Sequence, residues 1–533
     1  MRLNLSWVFM HTLLMLLVVI NLLTGFRIAA VHRPEVLLWS GFLPQGSLHS
    51  LHFSMGVTLL TLALTYGFYR LYRQRFLTSS KRVGTQSKYH KLIILLGYTC
   101  LCLLLLSGCF LYLGSFFYQG MIPTGFVLNS HYVAALVLLV YIPLHAGSYF
   151  VQYGIEIFST IFIASKQARF ANITFIFGSL LLGSALFLLL AKKAPQALIV
   201  HQVELSQYIN IDGYANEKIW ATIKPQVIHT FGGANFNNGS TDVRVKVLQN
   251  GIDAFFNISW DDTSESLNHL PIQKTKAGWL VLENGFYQFD EKTYYEDKFA
   301  IIISNNCDFA AAGTAHLGPK PLADKPPNWH GKGYHYTSDK NTTDQSIVDL
   351  WQWKAVRTNN MMIMDDNFIG APVKVRAGKR RYAAGYQTDP KLSGAYLMNW
   401  QWYKPNGIVP KRIPLDTLVL KTTGNHLPAD KLLPFLDWDD IKPYKAEYDS
   451  FAIGATLPSV LYATNSFEGD RADVRAFARW HDGQWTLELS RKLVTGSQYD
   501  VPLQENVCLW FAAFDHSQTA HTRHARPLQL KFN

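Results

Sequence analysis

The chain has 533 residues, 49% of them hydrophobic and 16% charged, with 49 Lys and Arg against 38 Asp and Glu. That apolar and aromatic content excludes a disordered chain, and the length excludes a single small domain. The formal charge of +11 invites an acidic polymer as partner, but it is unevenly placed: residues 1–193 carry 14 basic and two acidic residues, and residues 194–533 carry 35 basic and 36 acidic. The two parts are different objects, read here as domains 1–193 and 194–533.

Five apolar stretches in the first part, at 7–25, 48–69, 92–113, 132–150 and 173–190, each approach the roughly 20 helical residues that cross a hydrocarbon core. The first lacks a small-residue cleavage site and is followed by four more, so it reads as a retained span rather than a signal peptide. Between the second and third lie Arg70, Arg73, Arg75, Lys81, Arg82, Lys88 and Lys91 with no acid, whereas residues 115–127 carry no charge. Short basic loops stay in the cytoplasm. The N-terminus is then cytoplasmic and everything after Lys193 lies across the membrane, in the periplasm of a bacterium. The excess charge is a topology signal, and nucleic acid is not an expected partner.

Histidine within lipid is costly and marks function. His131 and His145 lie on one expected helix, 14 residues apart, which is four turns and about 21 Å. His11 sits near the cytoplasmic end of the first span, at a depth matching His145. His52 sits near the outer end of the second, matching His131. Two bis-histidine pairs at two depths use all four residues, and neutral imidazole is a common axial ligand of haem iron. His49 is a rival to His52, because i and i+3 face the same way, and His90 beside Lys88 and Lys91 reads as interfacial.

The run His52-Phe53-Ser54-Met55-Gly56, followed by an apolar helix ending in Arg70-Leu71-Tyr72-Arg73, resembles the second span of bacterial cytochrome b561 proteins. The 14-residue histidine pair is similar to that of the membrane cytochrome b subunits of formate dehydrogenase and nickel-iron hydrogenase. This resemblance implies a four-helix core with two b-type haems, His11 with His145 on the cytoplasmic side and His52 with His131 on the outer side. It also implies a quinone site near one of them, with the fifth span leading to the outer domain.

Beyond Lys193 the composition turns helix-poor and holds 12 of the 14 tryptophans. Runs at 243–247, 254–260, 299–303 and 485–489 alternate or cluster as strands separated by turn residues, which predicts a β-sandwich with long loops such as 318–346. No Gly-rich phosphate loop, zinc spacing or Cys-x-x-Cys-His occurs, so covalent c-type haem is not expected. Cys100, Cys102 and Cys109 read as small apolar residues of the third span. A Cys307–Cys508 disulfide is open, with two buried thiols the favoured reading. Asp365 with Asp366, and Asp437, Asp439 and Asp440, offer oxygen ligands for calcium but read as solvated loops.

Several motifs in this half resemble, in order, the haem-binding domain of the ethylbenzene dehydrogenase gamma subunit: Ile211-Asp212-Gly213 leading to Trp220, Ser259-Trp260-Asp261-Asp262-Thr263-Ser264, Tyr295-Glu296-Asp297, Asp349-Leu350-Trp351-Gln352-Trp353-Lys354-Ala355, Gly483-Gln484-Trp485-Thr486-Leu487-Glu488 and Ala512-Ala513-Phe514-Asp515. The resemblance implies a β-sandwich gripping one non-covalent b-type haem. In that subunit the axial ligands are Met and Lys. His524 falls about where the Lys is expected, and His316 where relatives often carry a Cys-His pair, so His316 and His524 are the expected outer ligands, with Met361, Met362 and Met364 as alternative thioethers.

The expectation that joins both halves is a multi-pass cytochrome of the bacterial inner membrane, in contact with lipid. It passes electrons between the quinone pool and a periplasmic donor or acceptor protein, through two membrane haems b and a third outside. Whether it is itself an enzyme is left open. The rival readings make the outer domain a ligand- or carbohydrate-binding sensor, or let the outer haem reduce a metal or small molecule directly.

Overall fold

The computed structural model describes residues 5–30, 36, 39, 42–44, 48–76, 88–117, 124–155, 196–282, 293–307, 315–316, 335–337, 347–373, 384–389, 396–404, 407–415, 434–463, 468–524 and 526–533. The chain divides into two compact units, Met1–Ala194 and Pro195–Asn533. In the first, four long helices are described: α1 (Leu5–Ala29), α2 (Leu48–Phe76), α3 (Lys88–Phe117) and α4 (Thr124–Tyr153). Each contains a stretch long and apolar enough to cross a membrane. The fifth expected span, at 173–190, lies outside the described residues.

Apolar side chains occur both inside and outside this bundle. Met10, Leu17, Leu22, Leu59, Leu62, Cys100 and Leu138 pack as its core, while Leu16, Val19, Leu64, Phe68, Leu95, Leu106, Val133 and Val140 face outward. A helix apolar all round has lipid as its solvent. Of the three span cysteines Cys100 alone is buried; Cys102 points outward. Phe26, late in α1, meets Tyr132, early in α4, edge-on at 6.3 Å, and Phe53, early in α2, meets Tyr112, late in α3, at 5.6 Å. These contacts make α1 and α4 antiparallel, and likewise α2 and α3.

The second unit is built on a sheet whose strands are β1 (Gln196–Gln202), β2 (Gln226–Phe231), β3 (Ser240–Gln249), β4 (Asp253–Asp261), β5 (Lys298–Ser304), β8 (Val348–Lys354), β9 (Asp365–Val373), β10 (Ala384–Thr388), β11 (Arg475–His481), β12 (Gln484–Lys492), β13 (Cys508–Phe514) and β14 (Leu528–Phe532); a separate pair, β6 (Ala315–His316) and β7 (His335–Tyr336), lies between β5 and β8 in the chain. All four stretches expected to be strands are strands. The sheet runs β10-β9-β8-β5-β13-β14-β1-β3-β4-β12-β11, with β2 on the free half of the β3 edge.

This sheet folds over on itself, because β13 and β14 share only two residue pairs, Cys508 with Gln529 and Leu509 with Leu528. The two halves then face each other. Trp260 of β4 stacks on Phe299 of β5 at 4.6 Å and lies edge-on to Trp353 of β8 at 5.8 Å, and Phe256 meets Trp351 at 6.0 Å. Alternation supplies this core: Val243, Val245 and Val247 point in, whereas Arg244 and Lys246 between them are less buried, as period-two side chains must be. Eight tryptophans belong to the buried interior. Their abundance thus reflects packing, and they are not laid out on the surface for stacking sugars.

Three sequence expectations change here. Cys307 and Cys508 are joined as a disulfide rather than held as two thiols; they flank adjacent strands, a proximity that their separation of 201 residues conceals. Asp365 and Asp366 lie on β9 and are buried, not in a solvated loop. Met361 and Met364 are likewise buried packing residues.

Buried ions hold the connections. Asp365 takes both Lys354 and Arg471. Glu296, fully buried, pairs with Arg357 and with His269 Nδ1 at 3.0 Å, and accepts the main-chain N–H groups of Val356 and Arg357 at 2.6 and 3.0 Å. Arg357 and His269 outweigh the cost of burial and hold the Glu296 carboxyl far below the usual range. Glu296→Gln strands Arg357 in a dry site, and is expected to destabilise the outer domain by about 3–5 kcal/mol. Urea unfolding followed by tryptophan fluorescence measures this, and a change under 1 kcal/mol would refute the assignment.

Candidate functional site

Six histidines were expected to be ligands, and the bundle brings two of them together in a defined way. The rings of His52 on α2 and His131 on α4 stand 6.4 Å apart, centroid to centroid, with planes at 87°. Their Nδ1 atoms are each tied to a hydroxyl of another helix: Thr24 Oγ1 of α1 lies 2.9 Å from His52 Nδ1, and Ser107 Oγ of α3 lies 2.8 Å from His131 Nδ1. Each hydroxyl has one proton, and each has a carbonyl of its own helix to give it to, at Ile20 (2.7 Å) and Leu103 (2.5 Å). The hydroxyls therefore accept from Nδ1–H, which fixes the tautomer and leaves the lone pair on Nε2. A hydrogen bond of this kind to the far ring nitrogen orients a metal-ligating imidazole.

The residue after each hydroxyl is glycine, and it makes the room. A Cβ on Gly25 would stand 3.1 Å from His52 Cε1, and one on Gly108 3.4 Å from His131 Cε1. Thr24-Gly25 and Ser107-Gly108 are thus two copies of one device, with a hydroxyl for Nδ1 and a bare backbone beside the ring. Sequence reading missed both; the dipeptides are legible only once their histidines are known. An iron bound by two imidazoles at about 2 Å each sets ring centroids roughly 6.3 Å apart, so the spacing and the donor set both fit haem.

His11 and His145 occupy the other level. Thr24 lies 13 residues beyond His11, and His145 lies 14 beyond His131, or about 20 and 21 Å along antiparallel helices. Both therefore lie toward the same end of the bundle. Tyr141 Oη is 3.0 Å from His145 Nδ1, and Tyr141 and Tyr149 flank its ring at 5.2 and 5.1 Å. Gly97 admits Tyr141, whose hydroxyl would collide with any Cβ there at 2.3 Å.

In the outer unit His524 is a core residue. Its Nε2 accepts the Phe511 N–H at 2.9 Å and its Nδ1 donates to the Arg526 carbonyl at 2.6 Å, so neither nitrogen is left for iron in this arrangement. The pair with ligand spacing is a different one: His335 on β7 and His521 have ring centroids 6.3 Å apart, tilted by 33°. His521 Nδ1 donates to the Thr522 carbonyl at 2.6 Å, again leaving the lone pair on Nε2. Main-chain bonds hold both in place. Arg523 exchanges two 2.9 Å bonds with Phe231 at the end of β2, and the Thr337 N–H donates to Gly370 on β9 at 2.9 Å.

Burial first, then His521 and the Arg523 guanidinium, push His335 down to about 3, and burial with the Arg523 and Lys298 charges pushes His521 down to about 4. Both are neutral, the form that ligates metal. His316 stays close, since its Cα is the register partner of His335 across β6 and β7. Of the three histidines within nine residues, His516, His521 and His524, the sequence reading chose His524; the fold separates that one, held by the core, from His521, which faces His335.

Residues 217–526 match the family model described as ethylbenzene dehydrogenase. Residues 2–162 match the one described as prokaryotic cytochrome b561. No curated protein matches the chain. Among solved structures, a candidate carbohydrate-binding protein from Bacteroides uniformis is similar at 9% identity and a TM-score of 0.25, over 64% of this chain and 100% of that one. A family 9 carbohydrate-binding module from Caldicellulosiruptor kristjanssonii, in complex with glucose, is similar at 8% identity and a TM-score of 0.23, over 63% and 96%.

Proposed function

Since this chain belongs to the ethylbenzene dehydrogenase family and carries the cytochrome b561 region of a membrane b-type cytochrome, we propose that it passes electrons between the quinone pool and a periplasmic redox partner. Haem b, when bound, supplies the one-electron redox chemistry. The observation that carries the reading is the His52–His131 pair, at ligand spacing with both tautomers fixed.

His52 and His131 would hold one haem, and His11 and His145, about 20 Å along the helices from them, would hold a second. In the outer domain His335 and His521 take the role that sequence alone gave to His316 and His524. The basic loop between α2 and α3 supports a periplasmic outer domain on a bacterial inner membrane, and the Cys307–Cys508 disulfide suits an oxidising compartment. The direction we propose is quinol oxidation, with electrons delivered outward.

Purified full-length protein is expected to contain three b-type haems per chain by the pyridine haemochrome assay, and absence of b-type haem would sink the proposal. His52→Ala or His131→Ala is expected to leave two haems. Thr24→Val, which keeps the ligand but strands its Nδ1–H, is expected to weaken retention at that site about 10–100-fold; unchanged retention would refute the orienting role.

The outer ligands separate by a second comparison. His521→Ala or His335→Ala is expected to remove one haem while the domain stays folded. His524→Ala is expected instead to keep the haem and to cost about 1–3 kcal/mol, for the orphaned Phe511 N–H. The reverse pattern in haem content and thermal unfolding would return His524 to the iron.

A further inference from the structure

At one end of the outer sandwich, four buried carboxylates surround one arginine. Asp349 and Asp366 lie on the adjacent strands β8 and β9, Asp389 directly follows β10, and Asp500 follows β12; Asp349, Asp366 and Asp389 are fully buried and Asp500 nearly so. Arg491 of β12 donates from Nη1 to Asp349 Oδ2 at 3.0 Å and pairs through Nη2 with Asp500 Oδ2 at 3.0 Å. The Val501 N–H adds a bond to Asp349 Oδ2 at 3.1 Å, and the Thr495 hydroxyl one to Asp500 Oδ2.

The oxygens left over are the informative ones. Asp349 Oδ1, Asp500 Oδ1, and both oxygens of Asp366 and of Asp389 are buried and accept no N–H or hydroxyl donor; their remaining close contacts are with other carboxyls, Asp349 with Asp366 and Asp500 with the half-buried Asp473. Asp366 is aimed into the cluster, for one oxygen each from Asp349, Asp366 and Asp500 all lie within 4.8 Å of one another. Three oxygens within that bound share a point no more than about 2.8 Å from each, close to the roughly 2.3–2.6 Å at which calcium takes its ligands.

Four carboxylates against one guanidinium leave three uncompensated negative charges in a dry place, where burying an unpaired carboxylate is costly. Burial and mutual repulsion accordingly push Asp349 up to about 7 and Asp389 to about 8, and raise Asp366 well above the usual carboxylate range. Either protons or a cation must answer this charge.

We propose that Asp349, Asp366, Asp389 and Asp500 form a calcium site that closes this end of the sandwich. The donors are all hard oxygens with no sulfur or imidazole, which selects calcium over zinc or copper. Arg491 fixes two of the carboxylates and, by using their Oδ2 atoms, turns their Oδ1 atoms toward the ion. The site is structural and independent of the haem ligands.

The test uses the full chain in detergent, stripped with chelator and titrated with calcium chloride. One calcium per chain by elemental analysis is expected, with half-saturation near 10⁻⁴ to 10⁻³ M, roughly the range of extracellular calcium modules. The outer-domain unfolding midpoint is expected to rise by about 4 °C at saturating calcium. Asp366→Asn and, separately, Asp389→Asn should each weaken calcium binding at least about tenfold, since each removes a ligating charge, without changing the haem spectrum. If calcium neither binds nor moves the midpoint, and Asp366→Asn is as stable as the parent, the carboxyls share protons and the proposal is overturned.

Discussion

A hydroxyl that has already spent its proton on a helix carbonyl can only accept, and this limit organises the membrane half. Thr24 and Ser107 are bound in this way to Ile20 and Leu103, so the imidazoles they meet are held as one tautomer with Nε2 open. Each hydroxyl sits on a different helix from its histidine. The pair His52–His131 therefore engages all four described helices: α2 and α4 supply the rings, while α1 and α3 supply the orientation. In a bundle whose interior and exterior are both apolar, hydrophobic burial cannot choose the rotation of a helix about its axis. Polar contacts between helices can, and these two do so at the level of His52 and His131.

The outer half solves the opposite problem. Its sheet is fixed by alternation and by a tryptophan-rich seam, and its difficulty is the ionised groups that the fold encloses. Glu296 satisfies its charge twice, with Arg357 and with His269, and Asp365 does so with Lys354 and Arg471. These are closed accounts of charge, in which every carboxylate meets cations or main-chain donors. The Asp349, Asp366, Asp389 and Asp500 group differs because Arg491 answers only part of it. The same strand, β9, carries both situations on neighbouring residues, since Asp365 and Asp366 point to opposite faces.

Sequence reading reached the two architectures because each is written in periodicity: long apolar runs for the helices, alternating valines at 243, 245 and 247 for a strand. It reached His52 and His131 because imidazole in lipid is rare enough to be noticed. It could not see which histidine of the 516–524 run belongs to the core, for that depends on Phe511 offering an N–H from a strand and on Arg526 offering a carbonyl. Nor could it see that Cys307, just past β5, meets Cys508 on the neighbouring β13, or that Asp349, Asp366 and Asp500 converge from β8, β9 and the segment after β12. The cysteines are 201 positions apart and leave no local pattern to read, and even the short-range partners of His524 are main-chain groups that any residue type supplies.

The pairing of β1 with β14 has a consequence for how the outer domain is made. Gln196 lies in register with Leu528, 332 positions later, and β1 otherwise meets β3 at only three residues. For most of its synthesis the domain thus carries an open strand edge at β1. Such distant pairing is slow to form, and an unpaired edge invites association with other chains. The strand that begins the domain is among the last to be secured, so a chain stalled short of β14 would present the cell with a formed membrane anchor bearing an adhesive, half-closed sheet.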